Sequence, residues 1–319
     1  MKTRLLLAAA VGLGLALNGW AAFVYEGQWG FRGTGNGEFE APTGIAVAPN
    51  GNVYVADTGN NRVQYFTRAG SFLGKWGAFG PGNGQFNAPF GIAVAANGTV
   101  YVTEYNNNRV QYFTPNGSFL GKWGTYGTGD GELKGPRGIA VAPNGNVYVA
   151  DRLNWRVQFF TPTGSFVGKF GLHNYSGEPA YVGIAANGTV YVSDDWFNQI
   201  EYFSAEGSFL GKWGRPGTYN GQFDYPWGVD VAPNGNVFVV DIFNFRVQYF
   251  TSTGEFLGKW GRSIGSGNGQ FDTPSDIALT PDGTRVYVAD RYNYRIQYFR
   301  DTEYAVAPTS LGRVKALFR

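Results

Sequence analysis

The sequence holds no cysteine, one histidine (His173) and one methionine (Met1). Without thiols there is no disulfide framework, no thiolate-bound zinc and no cysteine nucleophile, so an exported chain of this size depends on core packing alone. A single imidazole excludes a multi-histidine metal site and any chemistry that needs two imidazoles. Net charge is also scarce. The formal value is +2, and Lys2 and Arg4 belong to the extreme N-terminus, which leaves too little positive charge for a nucleic-acid footprint.

Long apolar runs are missing after the first residues. The one such run, Leu5 to Leu17, follows Lys2 and Arg4 and precedes Gly19-Trp20-Ala21. A positive start, a short apolar stretch and a small-residue pattern read as an export signal over residues 1–21, with the mature chain starting near Ala22. Gly12 and Gly14 interrupt the run, and it falls short of the roughly 20 residues a membrane-crossing helix needs. An uncleaved anchor is the alternative reading. The expected location is secreted, periplasmic or at the cell surface, with no transmembrane span once the signal is removed.

Glycine and aromatic residues are abundant, and they recur in register. One pattern repeats: Pro-x-Gly-Ile-Ala-Val-Ala-Pro-Asn-Gly-Asn-Val-Tyr-Val-Ala-Asp-x-x-Asn-x-Arg-Val-Gln-Tyr-Phe. Its opening prolines are Pro42, Pro89, Pro136, Pro179, Pro226 and Pro274, so the steps are 47, 47, 43, 47 and 48 residues. A period of this length belongs to propeller blades. Within a unit, Gly44 to Ala48 leads through Pro49-Asn50-Gly51, a hairpin signal, into Asn52 to Ala56. A third strand follows at Arg62 to Phe66 and a fourth at Ser71 to Trp76. No helical period occurs anywhere. The expected fold is therefore all-β, a six-bladed β-propeller with four antiparallel strands per blade.

The last unit stops at Tyr298-Phe299 without the Phe-Leu-Gly-Lys-Trp-Gly strand seen at Phe72 to Gly77, Phe119 to Gly124, Phe209 to Gly214 and Phe256 to Gly261. Phe23-Val24-Tyr25-Glu26-Gly27-Gln28-Trp29-Gly30 matches that strand. It is expected to complete the sixth blade and close the ring, which shields edges that would otherwise pair with other chains. The propeller then occupies residues 22–300, and residues 301–319 form a C-terminal tail whose end, Leu311 to Arg319, is basic with interspersed apolar residues.

Val-Tyr-Val-Ala-Asp57, followed by Asn60 and Arg62-Val-Gln-Tyr-Phe, resembles the NHL repeat, and the resemblance covers nearly the whole mature chain. The departures are few: Glu104 replaces the aspartate in the second unit, and Phe197 and Gln199 replace asparagine and arginine in the fourth. The fourth blade is thus expected to be the irregular one. The resemblance implies an exported bacterial-type binding module, monomeric and without turnover, for a protein, peptide or glycan. Similar propellers also include enzymes with a metal in the central channel. The histidine-dependent lyases among them do not suit a chain with one histidine. A calcium-dependent hydrolase or lactonase-like enzyme remains the alternative, with calcium as its cofactor and Asp230 and Asp276 as thin candidate ligands. RNA binding, known among animal relatives, would want a basic face.

Acid–arginine pairs recur at one spacing: Asp57/Arg62, Glu104/Arg109, Asp151/Arg156, Asp241/Arg246 and Asp290/Arg295. A catalytic dyad is needed once, whereas a blade-holding pair is needed in every blade, so repetition assigns these to the framework. Glycosylation-like triplets at Asn97, Asn116 and Asn187 coincide with hairpin turns, which explain them more simply. The lysines Lys75, Lys122, Lys169, Lys212 and Lys259 of the fourth strands suit edge protection.

Function is expected where the repeats differ. The loop between strands two and three shares one face with the connection to the next blade, and aromatics cluster there: Tyr105, Trp155, Trp196, Phe197, Phe243, Phe245, Tyr292 and Tyr294. At the channel mouth on this face, the residue after each opening proline varies, giving Thr43, Phe90, Arg137, Ala180, Trp227 and Ser275. Tyr181 and Asp276 replace the usual glycine beside them, and Asp230 replaces an inner-strand alanine. The candidate ligand-binding set is Phe90, Arg137, Tyr181, Trp227, Asp276, Trp155, Trp196, Phe243 and Tyr292, on the expectation of a concave aromatic surface.

Overall fold

A computed structural model of the chain describes residues 23–173, 177–261 and 263–302. The export-signal reading and all of the tail beyond Thr302 lie outside the described residues. Six four-stranded antiparallel sheets stand around one axis. Their innermost strands are Gly44–Val47, Pro89–Val94, Pro136–Val141, Pro179–Ile184, Pro226–Val231 and Pro274–Leu279. In the first blade the chain runs outward through Val53–Asp57, Arg62–Phe66 and Phe72–Trp76. The second strand is buried along its whole length, as expected for a central strand covered on both faces. Valines and phenylalanines such as Val53, Val55, Val63 and Phe66 are fully buried between adjacent blades.

Antiparallel order puts the inner-strand hairpins and the turns between strands three and four on one face, the turn face. The loops between strands two and three, and the connections between blades, emerge on the other, loop-rich face. The turns follow the sequence signals: Gly51 N–H donates to Ala48 O at 2.8 Å, and Asn50 Oδ1 accepts from Asn52 N–H at 3.0 Å, an Asx-type closure.

The ring closes as the repeat predicts. Strand Phe23–Trp29 pairs antiparallel with Arg295–Asp301 and forms the outer edge of the sixth sheet. A register shift between Tyr25 and Gly27 leaves Glu26 unpaired. The first blade has the same shift, with Tyr65 facing Gly74 and Phe66 facing Phe72. Tyr25 to Gly30 therefore reproduces Phe72 to Gly77 down to the bulge, and Glu26, held by Arg285 at 2.6 Å and Arg300 at 3.0 Å, takes the place of Leu73.

Neighbouring blades are tied by a recurring tyrosine. The hydroxyls of Tyr54, Tyr101, Tyr148 and Tyr191 each donate, at 2.7–3.0 Å, to a carbonyl in the third turn of the following blade: Pro115, Pro162, Ala205 and Ser252. Tyr287 does the same to Arg68 O of the first blade at 2.9 Å. The fifth blade carries Phe238 at this position. The blade after it has no third turn, because its outer strand arrives from the N-terminus. Among the described residues no third-turn carbonyl faces this position.

The acid–arginine pairs hold the connecting loops. Asp57 is fully buried and accepts from Arg62 Nε at 2.7 Å, Asn60 Nδ2 at 2.9 Å and the Glu40 N–H at 2.8 Å. Arg62 passes its other donors to Thr34 O, Gly35 O and Glu38 O at 2.5–2.8 Å. Pairs in the second, third, fifth and sixth blades repeat this geometry. The fourth blade departs as expected. Its entering connection is the shortened one, and Gln199, standing where the other blades have arginine, donates to Asp194 and Glu201, at 3.2 and 2.8 Å. Burial without a cationic partner raises the Asp194 carboxyl to about 6.

Candidate functional site

At the loop-rich end the inner strands bring the variable residues together. Phe90, Tyr181 and Trp227 form one cluster, with Phe90 centroids 6.0 Å from Tyr181 and 5.6 Å from Trp227. The Arg137 guanidinium lies over Trp227 at 4.8 Å, Phe90 at 5.0 Å and Tyr105 at 5.6 Å, in the geometry of cation–π contacts. The Tyr181 hydroxyl donates to Thr43 O at 3.1 Å. These residues belong to the fourth and first blades, which face each other across a six-membered ring, so the phenol crosses the axis. Burial holds that phenol well above its ordinary pKa. Thr43 and Ser275, both fully buried, donate to backbone carbonyls of the adjacent blade, Phe90 O at 2.9 Å and Pro42 O at 3.1 Å.

The result is a plug and not the open concave surface expected of these positions. Phe90, Tyr181 and Trp227 are only 7, 3 and 6% exposed, because the inner strands converge closely enough for large side chains to meet over the axis. Tyr181 stands where four of the other blades have glycine, and it points across the channel. A Cβ on Gly44 would lie 2.3 Å from Phe90 O, so most blades have no room for one.

A second ring surrounds the plug, formed by the residue after each buried acid: Thr58, Tyr105, Arg152, Asp195, Ile242 and Arg291. Reading the sequence for departures from the repeat passed over Asp195, Arg152 and Arg291. The signal available was that this position carries five different residue types in six units. Asp195, fully buried, accepts from Arg152 Nη2 at 3.0 Å, Trp227 Nε1 at 3.1 Å and Arg137 Nη1 at 3.5 Å, joining the third, fourth and fifth blades. Glu178 also pairs with Arg152. Burial raises the Asp195 carboxyl, against the two arginines that lower it.

Below the plug a cavity of about 190 Å³ runs between the inner strands and opens at the turn face into a wider funnel of about 610 Å³ lined by alanines, valines and prolines. Asp230 and Asp276 line the cavity. Asp276 accepts from Ile45 N–H and Ile277 N–H, both at 2.9 Å. Asp230 accepts from Val231 N–H and Leu279 N–H, both at 2.8 Å. One carboxylate thus ties the fifth blade to the sixth and the other ties the sixth to the first, clamping on both sides the blade that closes the ring. Burial raises both carboxyls, Asp230 to about 6 and Asp276 well above the usual carboxylate range. Among the described residues no three acidic, histidine or cysteine side chains gather as metal ligands. Two carboxylates already bonded to amides fit a backbone clamp better than a calcium shell, which takes six or more oxygens.

The other expected aromatics are exposed on the loop-rich face. Trp155, Trp196, Phe243 and Tyr292 are 54, 61, 51 and 48% accessible, each in a loop between strands two and three. The interblade connections add Phe31, Phe79, Tyr126 and Tyr219, all more than half exposed, which a search for departures within the repeat did not find because they lie outside it.

The NHL repeat family model matches residues 39–66, 86–113, 133–160 and 271–299, in the first, second, third and sixth blades. A B-box type zinc finger protein, ncl-1, of Caenorhabditis elegans is 41% identical over 49 residues, 15% of this chain and 6% of that protein, so the match spans only a small part of its length. Among solved structures, virginiamycin B lyase from Staphylococcus aureus superposes with a TM-score of 0.59 at 17% identity, covering 82% of this chain and 94% of the lyase. A Bacteroides thetaiotaomicron protein of unknown function superposes with a TM-score of 0.68 at 16% identity, covering 86 and 76% of the two chains. At such identities the likeness is one of fold.

Proposed function

The chain belongs to the NHL-repeat β-propeller family, and from that premise we propose that it is an exported, non-catalytic recognition module that engages a polypeptide with its loop-rich face. One observation carries the reading. Large aromatic side chains stand exposed around that face, on loops that a rigid ring holds in place. Exposed aromatic groupings of this kind are uncommon on surfaces without a partner. Tyr, Trp and Phe anchors set among Asn, Ser, Thr and Gly also make up the composition that binding loops use, with rigid contact area beside adaptable polar groups.

A macromolecular ligand suits the shape. The plug closes the axis on this face and a hollow of about 590 Å³ beside Phe243 and Phe245 opens away from it, so the aromatics offer a broad contact surface of the kind that buries about 800 Å² per partner. Export is supported by the charged, apolar and small-residue order of residues 1–21. The lyase resemblance does not extend to a comparable imidazole site. A histidine-to-alanine form of that lyase is described as catalytically inactive, while His173, the single histidine here, stacks on Phe209 at 4.1 Å, on the outer strand of the fourth blade and away from the axis.

The test is capture from peptide and glycan arrays by the full chain and by a Trp155→Ala/Trp196→Ala/Phe243→Ala variant. Peptide capture that weakens at least tenfold in the variant is expected. Capture of glycans alone would reassign the ligand class, and equal capture by both proteins would remove this face as the site.

A further inference from the structure

The mouth of the loop-rich face carries an excess of positive charge in the wrong place for a framework. Three guanidinium groups, of Arg137, Arg152 and Arg291, meet two carboxylates, of Asp195 and Glu178. Arg152 pairs with both acids. Arg137 reaches Asp195 only at 3.5 Å. Arg291 forms no ion pair among the described residues and lies over Trp227 at 5.9 Å and Tyr292 at 5.1 Å.

The contrast with the framework arginines is sharp. Nε of Arg62, Arg156, Arg246 and Arg295 each donates to its own carboxylate at 2.7–2.8 Å. Nε of Arg137, Arg152 and Arg291 is buried with no acceptor. A buried donor without an acceptor costs free energy that an incoming acceptor recovers. Two of these three arginines lie on one indole, that of Trp227, so their unpaired donors stand around the same ring at the mouth.

We propose that this mouth is an oxyanion site, in which Arg137 and Arg291, spread on Trp227, receive a carboxylate of the ligand. The planar guanidinium fork matches a carboxylate in two parallel hydrogen bonds. The proposal rests on the reading that the loop-rich face binds a polypeptide, whose acidic side chain or chain end would supply the group. The exposed ring of aromatics then provides contact area, and the arginine pair fixes the position of one charged group at its centre.

The probe is N-acetylglycine, titrated at constant ionic strength while the arginine Nε–H resonances of the full chain are followed by NMR, with inorganic phosphate as a second arm. Saturable shifts at Arg137 and Arg291, with Arg62 and Arg246 unmoved, are expected. Arg291→Gln, which breaks no ion pair and so folds, should weaken N-acetylglycine at least fivefold. Shifts that never saturate, or that are equal at the framework arginines, overturn the site. Saturable phosphate binding without N-acetylglycine binding overturns the carboxylate assignment. A peptide that loses binding in the triple aromatic variant but not in Arg291→Gln would leave the recognition face standing and remove the oxyanion site alone.

Discussion

The ring of Phe23 stacks on that of Trp260, with centroids 4.5 Å apart and planes 26° from parallel. In other blades the matching tryptophan lies against a glycine in the next blade's third turn: Trp29 on Gly70, Trp76 on Gly117, Trp123 on Gly164 and Trp213 on Gly254. The sixth blade has no third turn, and the first described residue of the chain fills the space that the turn leaves. Phe23 also meets Phe238 and Tyr249 edge-on at 5.4 Å. Phe23→Ala should therefore lower stability by about 1–2 kcal/mol, the scale of exposing one partly buried aromatic, whereas Val24→Ala, at a position 43% exposed, should change little. Urea unfolding of the two variants checks this. Equal small effects would mean that the seam does not depend on Phe23.

The same missing turn makes a second, opposite pair of expectations. Tyr54→Phe removes one interblade hydrogen bond and should cost about 1 kcal/mol. Phe238→Tyr adds a hydroxyl among Phe23, Tyr249 and Trp260, where no third-turn carbonyl stands among the described residues, and should cost about 1–3 kcal/mol although it restores the residue that most blades carry. Thermal melts of both variants test it. A stabilising Phe238→Tyr would sink the account.

These two cases show how far the sequence reaches. Unit spacing, strand order and ring closure are written in the repeat itself, because every blade needs the same buried valines, hairpin signals and loop-holding acid. Phe238 is visible as a departure too, but its reason appears only when the absent third turn of the sixth blade is set beside it. The mouth is less legible. Phe90, Arg137, Tyr181 and Trp227 come forward as variable positions, yet a linear chain does not show that they meet over the axis and bury one another. Asp195, Arg152 and Arg291 occupy a loop position that holds five residue types in six units, and only convergence in space separates them from ordinary loop residues.

The fourth blade ties the arginine to the loop it holds, which sets a third expectation. There Gln199 stands beside the shortened connection. Arg246→Gln in the fifth blade copies that residue into a blade whose connection is long. It leaves the fully buried Asp241 without its partner at 2.7 Å and releases Thr218 O, Tyr219 O and Gln222 O. A loss of about 3 kcal/mol is expected, the scale of breaking a buried pair from one side. Urea unfolding with a change below 1 kcal/mol would show that the loop does not depend on the arginine.

The channel carboxylates give the last expectation, a dependence on pH. The Asp230 carboxyl is raised from 3.8 to about 6, chiefly by burial, against two amide hydrogen bonds that lower it. Between these values the folded state keeps a proton that the unfolded chain has already released. Stability therefore falls as pH rises through this window and is flat above it. Asp276 is raised as well, by burial and by the Asp230 charge, and acts in the same direction. Four other blades have alanine at the Asp230 position and one has glycine, so Asp230→Ala suits the strand and removes one of the two titrations. Relative to the parent, Asp230→Ala should gain on the order of 2 kcal/mol on going from pH 4 to pH 7.5, at about 1.4 kcal/mol per pH unit of displacement, reduced because water reaches the channel. Comparing the variant with its parent cancels the contribution of other buried acids such as Asp194. Urea melts of both proteins at the two pH values decide the matter, and a difference that does not change with pH would mean that the amide hydrogen bonds hold Asp230 ionised throughout.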